Sequence, residues 1–598
     1  MNYKNITIIL TLLLLITFFL WLPEPEMGPK KSDINNEITL ITSSTVFDGD
    51  LWSAATDIAF SNGLIVEVGT NLLSKYKNAK VINGKGKTII PGLIDAHTHA
   101  WGDALEKAVK FGVTTELDMF TNNAFAITQR QSRVNNQQNT QQADLFSAGT
   151  LVTSPDGHGT EYGFKIPTIE DASQAEEFVL SRIEEGSDYI KIVYNATSRW
   201  MPSINKETLQ ALIKSTHTHG KLAVVHISDY DSALHAIEAG ADGLVHSFMD
   251  ETDMQPLVTL MSTNAQFVIP TLSVMDSMVG KENSQQLISD FTNQGVDLNS
   301  EKAQLTAKLS ETHNASASKQ AKLNVNIFLK AGVLILAGTD APNPGTAHGI
   351  SLHGELALLV QSGLTPTQAL QAATSNPAKA FKLTDRGFLK VGMKADLLLL
   401  NDDPRANITN TRKINSVYKN GFLIKKSDKS LANKKITQPI KLADFDTDLN
   451  SALATQWMIT TDEMFKGKSS AQLKRVNSST GAFIHITGKI DPQFSFPWAG
   501  IYLPMAKSNN LGVDISGMVS INFKAKGKAG DYKLLLFSTN QPMRPIEIIF
   551  TVTDSWEDIH LLLEQVPQGL LQSISAIALV AGSNHDEIKI SFDDIWLL

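Results

Sequence analysis

The segment Asp95-Ala96-His97-Thr98-His99 sets two imidazoles two residues apart. On a strand, residues i and i+2 point to the same face, so His97 and His99 can reach one metal ion. A lone His-x-His is weak evidence, because two surface histidines give the same pattern. Other positions strengthen it. His226 closes an apolar run at 222–227, His246 closes one at 243–248, and Asp340 ends one at 333–340. Lys191 lies inside the apolar run 189–194. Four histidines and an aspartate at the C-terminal ends of strands occupy the place where barrel enzymes keep their catalytic groups.

Eight short apolar strands are predicted to carry these residues: 89–97, 113–120, 145–152, 189–194, 222–227, 243–248, 266–271 and 333–340. Helical stretches separate most of them, at 104–111, 169–185, 206–219 and 230–239. Alternating strands and helices over this length predict an α/β fold, a (β/α)₈ TIM-like barrel over 89–385. The connection 272–329 is longer than the others and rich in Gln, Asn and Ser, which predicts extra helices and a lid over the mouth. β-Branched segments with Asp-Gly, Asn-Gly and Gly-Lys-Gly punctuation flank the barrel at 37–88 and 386–426. They read as two parts of one small composite β-sandwich domain. A polar, Lys-rich linker is expected at 427–439, followed by an all-β sandwich of jelly-roll type at 440–598.

Composition narrows the chemistry. The 598 residues include no cysteine, so thiolate ligands, thiol catalysis and disulfides are excluded. Any metal must sit on nitrogen and oxygen. With Lys+Arg at 52 and Asp+Glu at 61, the formal charge is -9, which gives no support to nucleic-acid binding. The first 31 residues read as a signal peptide or an N-terminal membrane anchor: Lys4, then the uncharged run 6–22, then Pro23 and Pro25. Export is expected, with the catalytic part periplasmic or otherwise outside the cytoplasm, held at a membrane if the segment is uncleaved.

Pro91-Gly92-Leu93-Ile94-Asp95-Ala96-His97-Thr98-His99 resembles the first-strand signature of the amidohydrolase superfamily, and Gly338-Thr339-Asp340-Ala341-Pro342 resembles its eighth-strand aspartate. Segments 353–356, 363–366 and 369–378 resemble the family's helix after that strand, and 392–397 its return into the small β domain. Gly186-Ser187-Asp188-Tyr189-Ile190-Lys191-Ile192 is similar to the branch with a carboxylated lysine, which includes Xaa-Pro and Xaa-Arg dipeptidases; imidazolonepropionases are a further relative. The resemblance implies two divalent ions, with His97, His99 and Asp340 at one, His226 and His246 at the other, and carboxylated Lys191 between them. Zinc suits such ligands best, with manganese or iron as alternatives. A buried lysine beside two cations loses its proton, and the neutral amine can take up carbon dioxide to become an oxygen ligand. The alternative is a strand lysine whose head reaches water. The implied reaction is hydrolysis of an amide-like C–N bond in a dipeptide, N-acyl amino acid or cyclic amide. Hydroxide bridging the two ions would attack, and Asp340 would act as general acid and base. Two other readings stay open: a mononuclear deaminase of a heterocycle, and a surface binding protein led by the C-terminal region.

His158, Tyr194, His348 and His353 are candidates for substrate contact, against the plainer roles of loop histidine, strand tyrosine and helix packing. His217, His219, His235 and His313 read as solvated helix residues. In the C-terminal region Trp457, Asp462, Gly467, Ser469 and Ser470, with 483–488 and 496–500, resemble the complex I intermediate-associated protein family, a galactose-binding-like β-sandwich. That resemblance implies a carbohydrate partner or a docking role without a ligand. Self-association into a homo-oligomer is left open.

Overall fold

The computed structural model describes residues 37–598 apart from 136–140, 162–165, 198–200, 251, 279–282, 308–314, 425–433, 454, 463–466, 480, 492–496, 507–511 and 540. The segment 1–31 read as a signal peptide or anchor, His313 and most of the expected linker lie outside the described residues. No described helix is long and apolar enough to cross a membrane.

The two small β segments form one eight-stranded sheet. They join where Leu397–Leu400 pairs antiparallel with Thr88–Pro91; both strands are buried at every position. Two hairpins close on Asn-Gly turns, Asn62-Gly63 and Asn420-Gly421, with all four residues at positive φ. That is the geometry a two-residue hairpin loop with right-handed strand twist requires.

Eight parallel strands follow the order of the chain. Leu93–Thr98, Val113–Asp118 and Asp144–Ser147 form one sheet. Ile190–Val193, Ala223–His226, Gly243–Val245, Phe267–Ile269 and Leu334–Ile335 form the other. Backbone bonds link the sheets at both margins. Val152 N donates to Lys191 O at 2.8 Å, and Asp340 N to His97 O at 2.8 Å. Parallel strands need crossovers, and helices such as Ala104–Lys110, Lys206–Thr218 and Tyr230–Glu238 supply them. The strands are apolar on both sides for that reason. Val113, Ile190, Ile192, Val225 and Leu244 pack with the helices, while Leu117, Val224, Val245 and Ile269 pack in a second cluster. Each fully buried Val, Leu or Ile contributes about 1.5–3 kcal/mol.

One boundary differs from expectation. The run 89–97 is two strands: Thr88–Pro91 belongs to the small sheet and Leu93–Thr98 to the parallel set. The break falls at Gly92, where a Cβ would lie 2.2 Å from Thr114 Oγ1. The long connection carries the helices Leu272–Met278, Asn283–Thr292, Asn299–Thr306 and Ala315–Lys330.

Residues 434–598 form two mainly antiparallel sheets around one apolar cluster. The motif Trp457…Asp462…Gly467…Ser469 has a structural explanation here. Asp462 is buried and accepts from Ser469 N (2.9 Å), Ser469 Oγ and Trp498 N (3.2 Å). Gly467 lies so close that a Cβ would stand 2.1 Å from Asp462 Oδ1. Trp457 sits in the cluster itself.

Candidate metal centre

The His-x-His strand brings its two imidazoles to Asp340. Nε2 of His97 and of His99 stand 3.2 and 3.0 Å from Asp340 Oδ1. Ligand atoms of the three residues lie within 4.8 Å of one another, a spacing that can hold a metal ion. Gly338 permits this approach: a Cβ there would meet His97 Cβ and N at 2.9 Å. Both ring nitrogens of His97 and Oδ1 of Asp340 are shielded from water and make no hydrogen bond outside this group. Buried polar atoms left this way cost about 1–3 kcal/mol each. A cation offers the missing partner, so the donor set fits a metal.

The other predicted residues extend the cluster. The His97 ring lies 5.1 Å from that of His246, which lies 4.7 Å from that of His226, which lies 4.9 Å from that of His158. His226 ends its strand; His246 follows the next strand at φ 76°, and Asp340 stands at φ 59°. A positive φ at a non-glycine residue costs of order 1–3 kcal/mol and persists where the surroundings enforce it. His246 N donates to Ile269 O (2.9 Å), and its Nδ1 pairs with Thr271 Oγ1 at 2.7 Å. That partner orients the ring and leaves Nε2 for a ligand role.

Burial sets the protonation states. It holds His97 and His226 well below the usual imidazole range and brings His246 to about 3; the nearby Lys191 pushes all three the same way. Neutral imidazoles are the form that binds metals. Burial also brings Lys191 down to about 7, against the pull of Asp340 and Asp118. Asp340 is held well below the carboxylate range: burial alone would raise it, and His97, His99 and His246 outweigh that.

The four substrate-contact candidates separate. His158 joins the row of rings and pairs through Nδ1 with Glu161 at 2.6 Å. His348 is buried, with Nδ1 2.9 Å from Glu116 Oε1 and Nε2 unpartnered. Two expectations are corrected. Tyr194 is 3% exposed, packs in the strand–helix core and commits its hydroxyl to His235 Nδ1 at 3.0 Å. His353 is 1% exposed, and its ring nitrogens meet Thr411 Oγ1 (3.0 Å) and Phe111 O (2.9 Å). Both side chains serve packing, and His235 is half-buried rather than free in water.

Three carboxylates that composition and spacing did not single out support the site. Asp95 accepts from His97 N (3.2 Å), Thr339 N (3.0 Å) and Thr339 Oγ1 (2.7 Å), tying the first strand to the Asp340 segment. Asp118 accepts from Ala100 N at 2.8 Å, next to His99, and burial raises its carboxyl to about 7. Glu116 holds His348. The signal for Asp118 was its place at the end of the second parallel strand.

Residues 88–424, more than half of the chain, match the Amidohydrolase family. The chain belongs to that family. As an amidohydrolase it is a hydrolase acting on carbon–nitrogen bonds, of a family that binds divalent metals. It is similar to an imidazolonepropionase of Geobacillus sp., 22% identical over 67% of this chain and 94% of that protein. It is also similar to an adenine deaminase of Clostridium perfringens, 23% identical over 71% of this chain and 66% of that protein. Among solved structures, a Xaa-Pro dipeptidase with bound methionine in the active site superposes with a TM-score of 0.53 at 22% identity, covering 65% of this amidohydrolase and 99% of the dipeptidase. Phenylurea hydrolase B gives 0.52 at 19% identity, covering 65% and 97%.

Proposed function

We propose that this amidohydrolase is a binuclear enzyme that hydrolyses the amide bond of a small substrate such as a dipeptide, an N-acyl amino acid or a cyclic amide. The eight parallel strands are taken as a closed (β/α)₈ barrel, a reading supported by the backbone bonds at both sheet margins. The observation that carries the proposal is the continuous row of rings from His99 through His97 and His246 to His226, with Lys191 in electrostatic reach of it. His97, His99 and Asp340 would hold one ion, and His226 and His246 the other. Lys191 would join them as a carbamate: its neutral amine forms an N–C bond to carbon dioxide and releases one proton. When bound, the ions supply an activated water and a Lewis acid for the scissile carbonyl. Asp340, kept anionic, is placed to take the proton from the attacking water and pass it to the leaving amine. His158, at the His226 end of the row, and His348, with its unpartnered Nε2, are the candidates that remain for substrate contact. The long apolar run at 6–22 supports export, with the metal centre outside the cytoplasm.

The test is metal analysis of the purified protein in bicarbonate-containing buffer, together with a screen of dipeptide and N-acyl amino acid libraries. Two ions per wild-type chain and at most one in Lys191→Ala support the reading. A fully active wild type saturated at one ion overturns it. The compact His97–His99–Asp340 group on its own favours the second reading, a mononuclear deaminase. Ammonia release from a heterocycle by the one-ion enzyme would establish that reading.

A further inference from the structure

The six-stranded sheet of the C-terminal region carries a concavity of about 320 Å³ that no step of the proposed hydrolysis uses. Three neighbouring strands build it: Ser520–Gly527, Glu557–Leu562 and Glu587–Leu597. Its lining includes Asn522, Lys524, Asp558, His560, Asp594 and Trp596. Register places Asn522 opposite both His560 and Trp596, and Lys524 opposite Asp558. Phe523 and Ile559 alternate with these residues and face the apolar cluster.

The concavity has a local cause. The pairing of Glu587–Leu597 slips on both sides at the same place, between Asn522 and Lys524 on one neighbour and between Lys441 and Ala443 on the other. Asp594 stands there at φ 48°. A bulge of this kind bends the strand, increases its twist and re-aims the side chains around it. The Asp594 carboxylate accepts from Lys441 at 2.9 Å and from Lys524 at 3.0 Å. Lys441 Nζ also lies 5.3 Å from the centre of the Trp596 ring, so the half-buried indole is braced by a cation. Asn522 Oδ1 is shielded from solvent and has no hydrogen-bond partner.

We propose that this concavity is a binding site for a neutral saccharide. Its volume is at the low end of the 300–1,000 Å³ typical of ligand sites, suited to the end of a glycan rather than a long stretch. The indole offers an apolar flat surface for the C–H face of a sugar ring. Amide, imidazole and carboxylate together present both donors and acceptors, and sugar hydroxyls, each donor and acceptor at once, satisfy such a mixture. Charge argues against an anionic ligand. Lys441 and Lys524 are both paired with Asp594, which weakens the pull of either cation on an anionic ligand. The inference stands apart from the hydrolytic reading, because none of its residues belongs to the metal centre.

The experiment uses the full-length protein with cellopentaose, chitopentaose and, as an anionic control, polygalacturonate. Binding is read by saturation-transfer NMR and calorimetry. At least one neutral oligosaccharide should bind, and Trp596→Ala and His560→Ala should each weaken it about tenfold. Asn522→Leu keeps the volume and removes the amide, so it separates lost recognition from a disturbed sheet; it too should weaken binding. Amide hydrolysis should be unchanged in all three. Binding of polygalacturonate alone, binding of a neutral oligosaccharide unaltered by folded variants, or no neutral ligand bound up to about 10 mM would each overturn the proposal.

Discussion

Two buried clusters of ionisable groups, at different places in the amidohydrolase region, solve the same physical problem differently. At one, Asp144 accepts from Arg386 (2.7 Å), Lys394 (3.0 Å) and Lys419 (3.0 Å), while Asp385 pairs with Arg386 and Asp396 with Lys419. Three carboxylates meet three cations. Burial alone would raise the Asp144 carboxyl, yet Lys419, Arg386 and Lys394 hold it well below the usual range. This cluster joins the parallel strands, through Asp144 and Thr115, to the small sheet, through Lys394, Asp396 and Lys419. At the other, His97, Asp340 and Lys191 are buried and His99, His226 and His246 half-buried, and the ring nitrogens of His97 and Oδ1 of Asp340 make no hydrogen bond outside the His97–His99–Asp340 group. The first cluster is complete as protein. The second holds a group, His97, His99 and Asp340, whose spacing suits an added cation. Buried charge that is fully paired serves architecture, whereas buried ligand atoms left unpaired mark where chemistry is to be supplied.

The sharpest break in this contrast is Asp340→Asn. It keeps shape and removes the anion and the proposed base, so turnover should fall by about 10²–10⁴-fold with the folded circular-dichroism spectrum retained. Turnover within a few fold of wild type at matched metal content would assign the proton transfers to another residue. Gly338→Ala comes next. The added methyl meets His97 and Ile269 Cγ2, and a displacement near 1 Å costs about 10²-fold in rate. Metal content and kcat measured together would show whether the ligand geometry depends on that glycine.

Asp144→Asn tests the other cluster. Removing one member of a buried ion network destabilises by about 3–5 kcal/mol, read as a lower denaturant midpoint, while kcat of the folded fraction stays close to wild type. The sign with pH comes from the depressed carboxyl. Its stabilisation is fully present above the unfolded aspartate value near 3.9 and is lost as pH falls through the lower folded value. Acidification below about pH 4 should therefore narrow the stability gap between wild type and variant, measured by denaturant titration at several pH values. The smallest effect is expected from deleting residues 441–598, which have their own apolar cluster. Turnover of a small amide should stay within about twofold; a large loss in a folded, metal-loaded truncate would mean that this region helps to form the catalytic pocket.

Local sequence was enough to read the parallel strand–helix order, the flanking β segments and the His97–His99–Asp340 group that could hold a metal ion. Each of these has a local cause: two-sided apolar strands, Asn-Gly turns, and ligand-type side chains at strand ends. It did not separate residues that share a type and a neighbourhood but differ in partners. His158 and His353 are both histidines near strand or helix ends, yet one stacks toward His226 and the other is held by Thr411 and Phe111 O. Nor did it reveal that Gly92 divides one apolar run between two sheets, or that Asp144 finds partners about 240–275 positions away. Those outcomes depend on contacts between segments far apart in the chain. Side-chain type and local spacing carry the capacity to ligate, donate or pack; long-range packing selects which capacity is used, because it alone fixes what each buried polar atom faces.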